Sequence, residues 1–273
     1  MLHSDNLTIH KKDGLVYISF PKLDNAGVKA VFSTRIGGVS KGHLGSMNMS
    51  LANGDDENNV KENYRRLCAA AKIDLERLVF SKQTHTTNLR IVTENDIGKG
   101  LCSERDYTDV DGLITNIKDV GLVTHFADCV PLLFFDPVQQ VIAASHSGWR
   151  GTAGQIGAAT VQKMQKHFGC NPDNIIAAIG PCIKQCCYEV DLPVIEQFER
   201  VGGLDIDAFT KQVDDSHFML DLCEANRQIL VNAGIKNENI DISDICTCCN
   251  CDTLHSHRAT NGKRGIMAAI IAL

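Results

Sequence analysis

The chain has 273 residues, 44% hydrophobic and 22% charged, with a formal net charge of −6 from 27 basic and 33 acidic side chains. That length and balance belong to an ordinary globular protein able to bury a sizeable core. The acidic balance leaves no basic face for a phosphate backbone, so nucleic acid is not expected as the main partner. No apolar run reaches the roughly 18 residues of a membrane span, so no membrane partner is expected either.

The opening MLHSDNLTIHKKDG is polar and lacks the apolar segment of a signal peptide, so a cytoplasmic location is expected. Residues 15–20 (LVYISF) and 28–33 (VKAVFS) read as strands, the first ended by Pro21. A polar, glycine-rich loop, TRIGGVSKGHLGSMNMS, follows. Residues 56–72 place Val60, Tyr64, Leu67 and Ala71 at helical spacing and predict an amphipathic helix. Strand-like segments recur at 77–81, 88–93 and 111–115, twice within 121–136, and at 141–146. Residues 152–168 predict a helix stopped by Gly169. Residues 175–180 read as a buried strand, 191–200 and 220–234 as helices, and the final IMAAIIAL as a closing strand. Strands and helices mix without a regular βαβ alternation, and neither linker nor repeat is visible. The expectation is one α/β (α+β) domain over residues 1–273, a mixed β-sheet core flanked by helices.

The strongest chemical signal lies at strand ends. THFADCVPLLFFD sets Asp128 and Cys129 between two apolar runs, and VIAASHSGWRG sets His146 directly after a third. Polar residues at the ends of rigid strands can be held accurately. KQTH, after the strand-like LVFS, puts His85 in a similar setting. Two imidazoles and a thiolate suit zinc, and three protein ligands leave a fourth position open, the catalytic pattern. Taken singly, each His also fits a hydrogen-bonded structural role and Cys129 a core thiol, and spacing alone leaves that choice open. Gly148 and Gly151 allow close backbone approach, and Arg150 at a helix start suits an anion.

Twelve cysteines in a chain without a signal peptide point to reduced thiols and metal ligands rather than disulfides. Cys68 and Cys223 fit small core positions in helices. CTCCNC packs Cys246, Cys248, Cys249 and Cys251 into six residues. With Cys182, Cys186 and Cys187 these are candidates for a second, thiolate-rich metal site or a redox pair, although C-x-C and C-C spacings suit structural zinc poorly.

FSTRIGGVS (32–40), KQTH (82–85), DGLIT (111–115), ADCVPLLFFD (127–136), HSGWRG (146–151), IGPCI (179–183), YEV (188–190) and SHR (256–258) occur in one order. In that order they resemble the YfiH/YlmD-type family, also called the laccase-domain or polyphenol oxidoreductase family and described as purine nucleoside phosphorylases. The resemblance implies one zinc on His85, Cys129 and His146. It also implies phosphorolysis of adenosine, inosine, guanosine and S-methyl-5'-thioadenosine, with adenosine deamination beside it. Purine nucleoside and phosphate are then the small-molecule partners. Arg35, Arg150 and Arg258 are candidates for the phosphate or ribose side, and Ser33, Asn48, Gln83 and Ser256 for orienting the nucleoside. Asp128 is a candidate acid or base, or an orienter of its neighbour. His255 stands where the family usually has an aromatic, a change that bears on substrate stacking.

The family's older label is a copper-dependent phenol oxidase. Ten His with a single His-x-His (His255, His257) are too few ordered pairs for a four-copper enzyme, although copper can occupy a nitrogen–sulfur site built for zinc. The zinc motif of cytidine deaminases is absent, since there is no H-x-E and PCIKQC has the wrong spacing. Two further readings are a metal-free hydrolase using Cys129 as nucleophile with His146 as base, and a metal-storage protein using the cysteine-rich tail.

Overall fold

A computed structural model describes residues 2–273. The chain begins with a hairpin, β1 (Thr8–Lys12) and β2 (Leu15–Ser19), a short helix α1 (Pro21–Asn25) and β3 (Lys29–Ser33). Helix α2 (Glu57–Ala71) follows the long loop. It starts at Asp56, whose side chain accepts from the Asn58 N–H, and it buries Val60, Tyr64 and Leu67. Then come β4 (Leu78–Phe80), β5 (Leu89–Ile91), β6 (Gly112–Thr115), β7 (Gly121–Phe126), β8 (Val130–Asp136) and β9 (Val141–Ser147).

The expected helix over 152–168 is two helices, α3 (Trp149–Ala153) and α4 (Ile156–Phe168). Gln155 between them takes a left-handed φ of 60°, which no continuous helix accommodates. Beyond lie β10 (Ile176–Ile179), β11 (Glu189–Asp191), α5 (Leu192–Glu199), β12 (Thr210–Gln212), β13 (His217–Leu220), α6 (Leu222–Asn232), β14 (Ile240–Ile242), α7 (His257–Thr260) and β15 (Met267–Ala272).

Two six-stranded mixed sheets make the body, ordered β1-β2-β3-β15-β7-β4 and β14-β10-β8-β9-β6-β5; β11-β13-β12 form a small third sheet. The apolar runs are continuous because the central strands are buried on both faces. On β15, Met267, Ala269 and Ile271 face the space between the large sheets, with Phe32, Leu122 and Phe126. Its Ala268, Ile270 and Ala272 pack on the other face, with the α2 residues Tyr64 and Leu67. Likewise, Leu133 and Phe135 of β8 point between the sheets, while Leu132 and Phe134 pack toward Val161 of α4 and Leu230 of α6. The layers run helix, sheet, sheet, helices. The chain passes from the first sheet to the second between β4 and β5, and again between β7 and β8.

Candidate metal centre

His85 and Cys129 lie at those two crossings, and His146 lies on β9, opposite Pro131 of β8. The route to His85 is set by Gln83. Its side-chain amide donates to the His125 carbonyl at 2.8 Å and accepts from the His125 N–H at 2.7 Å, which pins the chain beyond β4 onto β7. His85 itself takes φ +66°, turning its ring back toward the sheets. The β7–β8 connection is tight, and Asp128 makes its turn at φ +87°.

Asp111 organises the site. Its carboxylate accepts from the backbone N–H groups of Thr84 at 2.9 Å, His85 at 3.1 Å and Thr86 at 3.0 Å. It is also hydrogen-bonded to Nδ1 of His146 at 2.9 Å. That last bond places the Nδ1 proton toward Asp111 and leaves Nε2 of His146 for the centre. Nε2 of His85 lies 4.0 Å from the Cys129 Sγ. The rings of His85 and His146 meet edge to face at 4.8 Å. One ligand atom from each of His85, Cys129 and His146 lies within 4.8 Å of the others.

The electrostatics favour a thiolate. Burial pushes the Cys129 thiol up, but the charge of His146 and hydrogen bonds from His146 and His85 outweigh it, bringing the thiol down to about 6. Burial pushes His146 down, but the Cys129 thiolate and Asp111 outweigh it and raise the imidazole to about 9. Burial also opposes ionisation of Asp111, yet the bond from His146 and the N–H groups of Thr84 and Thr86 hold its carboxyl at about 2.

A tetrahedral ion with Zn–N near 2.0 Å and Zn–S near 2.3 Å sets N···S edges of about 3.5 Å. The 4.0 Å separation therefore needs a contraction of about half an ångström. Gly148 keeps the space open: a Cβ there would sit 3.0 Å from the His85 ring and 3.1 Å from the Cys129 sulfur. Donor chemistry, spacing and a hydrogen-bonded His all fit one ion held by three protein ligands.

The other residues singled out in the sequence have scaffold contacts. Ser33 accepts from the Ala268 N–H at 2.9 Å, joining β3 to β15. Asn48 donates to the Ser50 carbonyl and Asp55 and accepts from Ile266 N–H. Arg35 donates to the carbonyls of Gly45 and Cys251, holding two loops. Arg258 donates to the carbonyls of Cys187 and Glu189. Ser256 caps α7 and donates to Asp128 at 3.1 Å. Asp128 also accepts from Thr247 Oγ1 at 2.5 Å and Arg258 N–H at 2.7 Å. Three donors on one carboxylate suit a residue that fixes the turn before Cys129 better than one that exchanges protons. Arg150 is exposed and lies 4.2 Å over the Trp149 ring, in the first turn of a helix only five residues long.

Two residues escaped the sequence reading. Asp111 opens the DGLIT motif and was hidden by looking like a strand start. Arg264 is half-buried, and its Nε has no hydrogen-bond partner. Burial pushes its guanidinium down, and the charges of Asp128 and Cys129 partly offset this; a lone Arg in a polar stretch carries no motif.

A mixed two-sheet α/β fold that brings two His and one Cys together at its sheet crossings defines a protein with a group able to hold a metal ion. The chain belongs to the family described as multi-copper polyphenol oxidoreductase laccase, whose model matches residues 29–273, and it is an enzyme. It is 38% identical over 254 residues to "Purine nucleoside phosphorylase YlmD" of Bacillus subtilis (strain 168), covering 92% of this chain and 90% of that one. It is 33% identical over 249 residues to "Adenosine deaminase RL5" of an unknown prokaryotic organism, covering 88% of this chain and 94% of that one. Its fold matches the crystal structure of the Bacillus licheniformis hypothetical protein YfiH with a TM-score of 0.92 at 35% identity, over 97% of this chain and 98% of that one. No helix among the described residues is long and apolar enough to cross a membrane.

Proposed function

We propose that the whole chain is one catalytic domain acting as a zinc-dependent purine nucleoside phosphorylase, with adenosine deamination as a second activity of the same centre. The observation that carries this is the meeting of one ligand atom each from His85, Cys129 and His146, in a chain whose relatives are named for these two reactions. Adenosine, inosine, guanosine and S-methyl-5'-thioadenosine are the proposed nucleosides.

In phosphorolysis a phosphate oxygen bonds to ribose C1′ as the C1′–N9 bond breaks, and the purine leaves carrying a proton. His85, Cys129 and His146 would hold the zinc, which when bound would supply Lewis acidity. The chain's own residues do the positioning. Asp111 fixes the His146 ring and the backbone of His85. Asp128 fixes the Cys129 turn from Thr247, Ser256 and Arg258. Arg150, whose guanidinium is bound to no carbonyl, is the readiest phosphate ligand of the three Arg first singled out, and Arg264 joins it from the Asp128 side. Arg35 and Arg258 support loops. Ser33, Asn48 and Gln83 serve the substrate indirectly, by holding the strands and loops around the centre.

The donor set supports zinc over a copper cluster. Among the described residues, the groups able to hold an ion are this one and a group of four cysteines, and neither supplies the multi-His cluster of a multicopper oxidase. Copper in the zinc position is the remaining route to phenol oxidation. The test is zinc-loaded protein incubated with inosine and phosphate, with hypoxanthine and ribose 1-phosphate as the expected products. Both should vanish in Cys129→Ala. Release of hypoxanthine from inosine that needs no phosphate, or that survives Cys129→Ala, refutes the reading.

A further inference from the structure

Two loops far apart in sequence bring four sulfurs together beside the catalytic turn. Cys186 and Cys187 lie on the loop after β10, and Cys246 and Cys249 on the loop after β14. All four Sγ atoms lie within 4.8 Å of one another. The Cys186–Cys249, Cys187–Cys249 and Cys186–Cys187 separations are 3.6, 3.3 and 3.8 Å. A zinc ion with Zn–S near 2.3 Å sets tetrahedral S···S edges of about 3.8 Å. A disulfide needs about 2.05 Å. The three separations lie within about half an ångström of the tetrahedral edge and the fourth sulfur within 4.8 Å of the others, which suits four ligands around one ion better than a bonded pair.

Within CTCCNC the structure avoids the C-x-C and C-C spacings, and the adjacent Cys186 and Cys187 complete the group from the other loop. It selects Cys246 and Cys249, a C-x-x-C pair, and leaves Cys248 and Cys251 outside the group. The backbone N–H of Lys184 donates to the Cys246 sulfur at 3.4 Å, and that of Cys249 is also directed at it. Backbone N–H groups aimed at sulfur stabilise a thiolate ligand. Cys182, the other candidate of that region, is buried elsewhere, 3.2 Å from the Cys223 sulfur.

We infer that Cys186, Cys187, Cys246 and Cys249 form a second metal site, a structural zinc clasp that ties the loop after β10 to the loop after β14. Binding exchanges up to four S–H protons for four Zn–S bonds with no change of oxidation state. Four protein ligands close the coordination sphere, so the site is structural. Its role follows from its neighbours. Thr247, between two of the ligands, donates to Asp128, and the Cys187 carbonyl accepts from Arg258. The clasp therefore braces the turn that carries Cys129 without touching the substrate.

The test is metal counting on the full-length protein, reduced, reconstituted with Zn²⁺ and desalted. The double variant Cys186→Ser/Cys249→Ser should lose one zinc equivalent relative to wild type. His85→Ala/His146→Ala should retain that same equivalent, which keeps this inference separate from the fate of the catalytic reading. Cobalt loaded into His85→Ala/His146→Ala should show the intense sulfur-to-cobalt charge-transfer absorption of a four-sulfur tetrahedral site. If the serine variant does not fold, the cobalt spectrum of the histidine variant decides alone. A wild-type zinc count unchanged by the cysteine substitutions, a cobalt spectrum without that absorption, or iron in place of zinc overturns the proposal.

Discussion

Replacing Asp111 with Asn tests the architecture of the centre most directly, because the substitution keeps shape and removes charge. In the wild type the Asp111 carboxylate accepts from His146 Nδ1 and from the N–H groups of Thr84, His85 and Thr86. An amide offers one acceptor oxygen and turns an NH₂ toward the remaining donors. With the amide oxygen at the Oδ1 position the bonds from His146 and the His85 N–H survive without their charge and the NH₂ faces the Thr84 and Thr86 N–H groups; in the other orientation the His146 ring loses the bond that holds its free nitrogen toward the centre. Loss of such a partner behind a metal ligand typically costs about 10–100-fold in metal affinity, or about 1.4–2.7 kcal/mol. The assay is zinc affinity by chelator competition, at constant ionic strength, beside thermal unfolding of the zinc-free protein. Zinc affinity within about twofold of wild type, with folding intact, refutes the reasoning, since a mere surface carboxylate behaves that way. The pH dependence has a fixed sign. The Asp111 carboxyl is held at about 2, below its unfolded value of about 3.9. Its contribution to stability is therefore complete above about pH 4 and lost as pH falls through about 2. Asp111→Asn should remove that portion of the acid transition.

Gly148→Ala places a methyl 3.0 Å from the His85 ring and 3.1 Å from the Cys129 sulfur; zinc affinity should fall about tenfold or more while the zinc-free fold stays within about 1–3 kcal/mol of wild type, read by chelator competition and urea unfolding. Arg150→Ala should raise the KM for phosphate about tenfold, the scale of one charged hydrogen bond, with the unfolding midpoint unchanged because the side chain is exposed. In the zinc-free protein, iodoacetamide should modify Cys129 at neutral pH with a midpoint near its thiol value of about 6, and added zinc should protect it. Cys68, raised by burial to about 12, should stay unmodified under the same conditions. Asp128→Asn should destabilise the fold by about 1–3 kcal/mol, because one oxygen becomes a donor facing either Thr247 or the Ser256 hydroxyl and Arg258 N–H; an unchanged urea midpoint counts against its role as anchor of the turn.

Much of the body was legible in the sequence. Double-sided burial makes β7, β8, β9 and β15 continuous apolar runs, so their existence was plain, but the same burial conceals which residues face which layer. The periodic helix α2 was found nearly to the residue. The break between α3 and α4 was not, because Gln155 adopts a left-handed conformation that nothing in its chemistry requires. The small sheet of β11, β12 and β13 went unseen because its strands have only three or four residues and little apolar pattern. His85, Cys129 and His146 could be nominated one by one as candidate ligands from strand ends. That they meet depends on where the chain changes sheets, a property of topology that no local spacing encodes. Asp111 acts through partners more than 20 residues away, and Arg264 lies near Asp128 and Cys129 across more than 100 residues of chain, so neither left a local mark at the site.

His85 and Cys129 sit where the chain leaves one sheet for the other, and His146 sits on the second sheet beside them. An ion shared by these three residues would work as a rivet through the two plates of the sandwich. Its retention then becomes a gauge of how the plates lie against each other. Phe126 stands between the plates and touches the His146 ring with centroids 5.5 Å apart. A small misfit there, far milder than anything that unfolds the protein, would first be felt as a loosened ion, so selection for metal retention is also selection for the packing between the sheets.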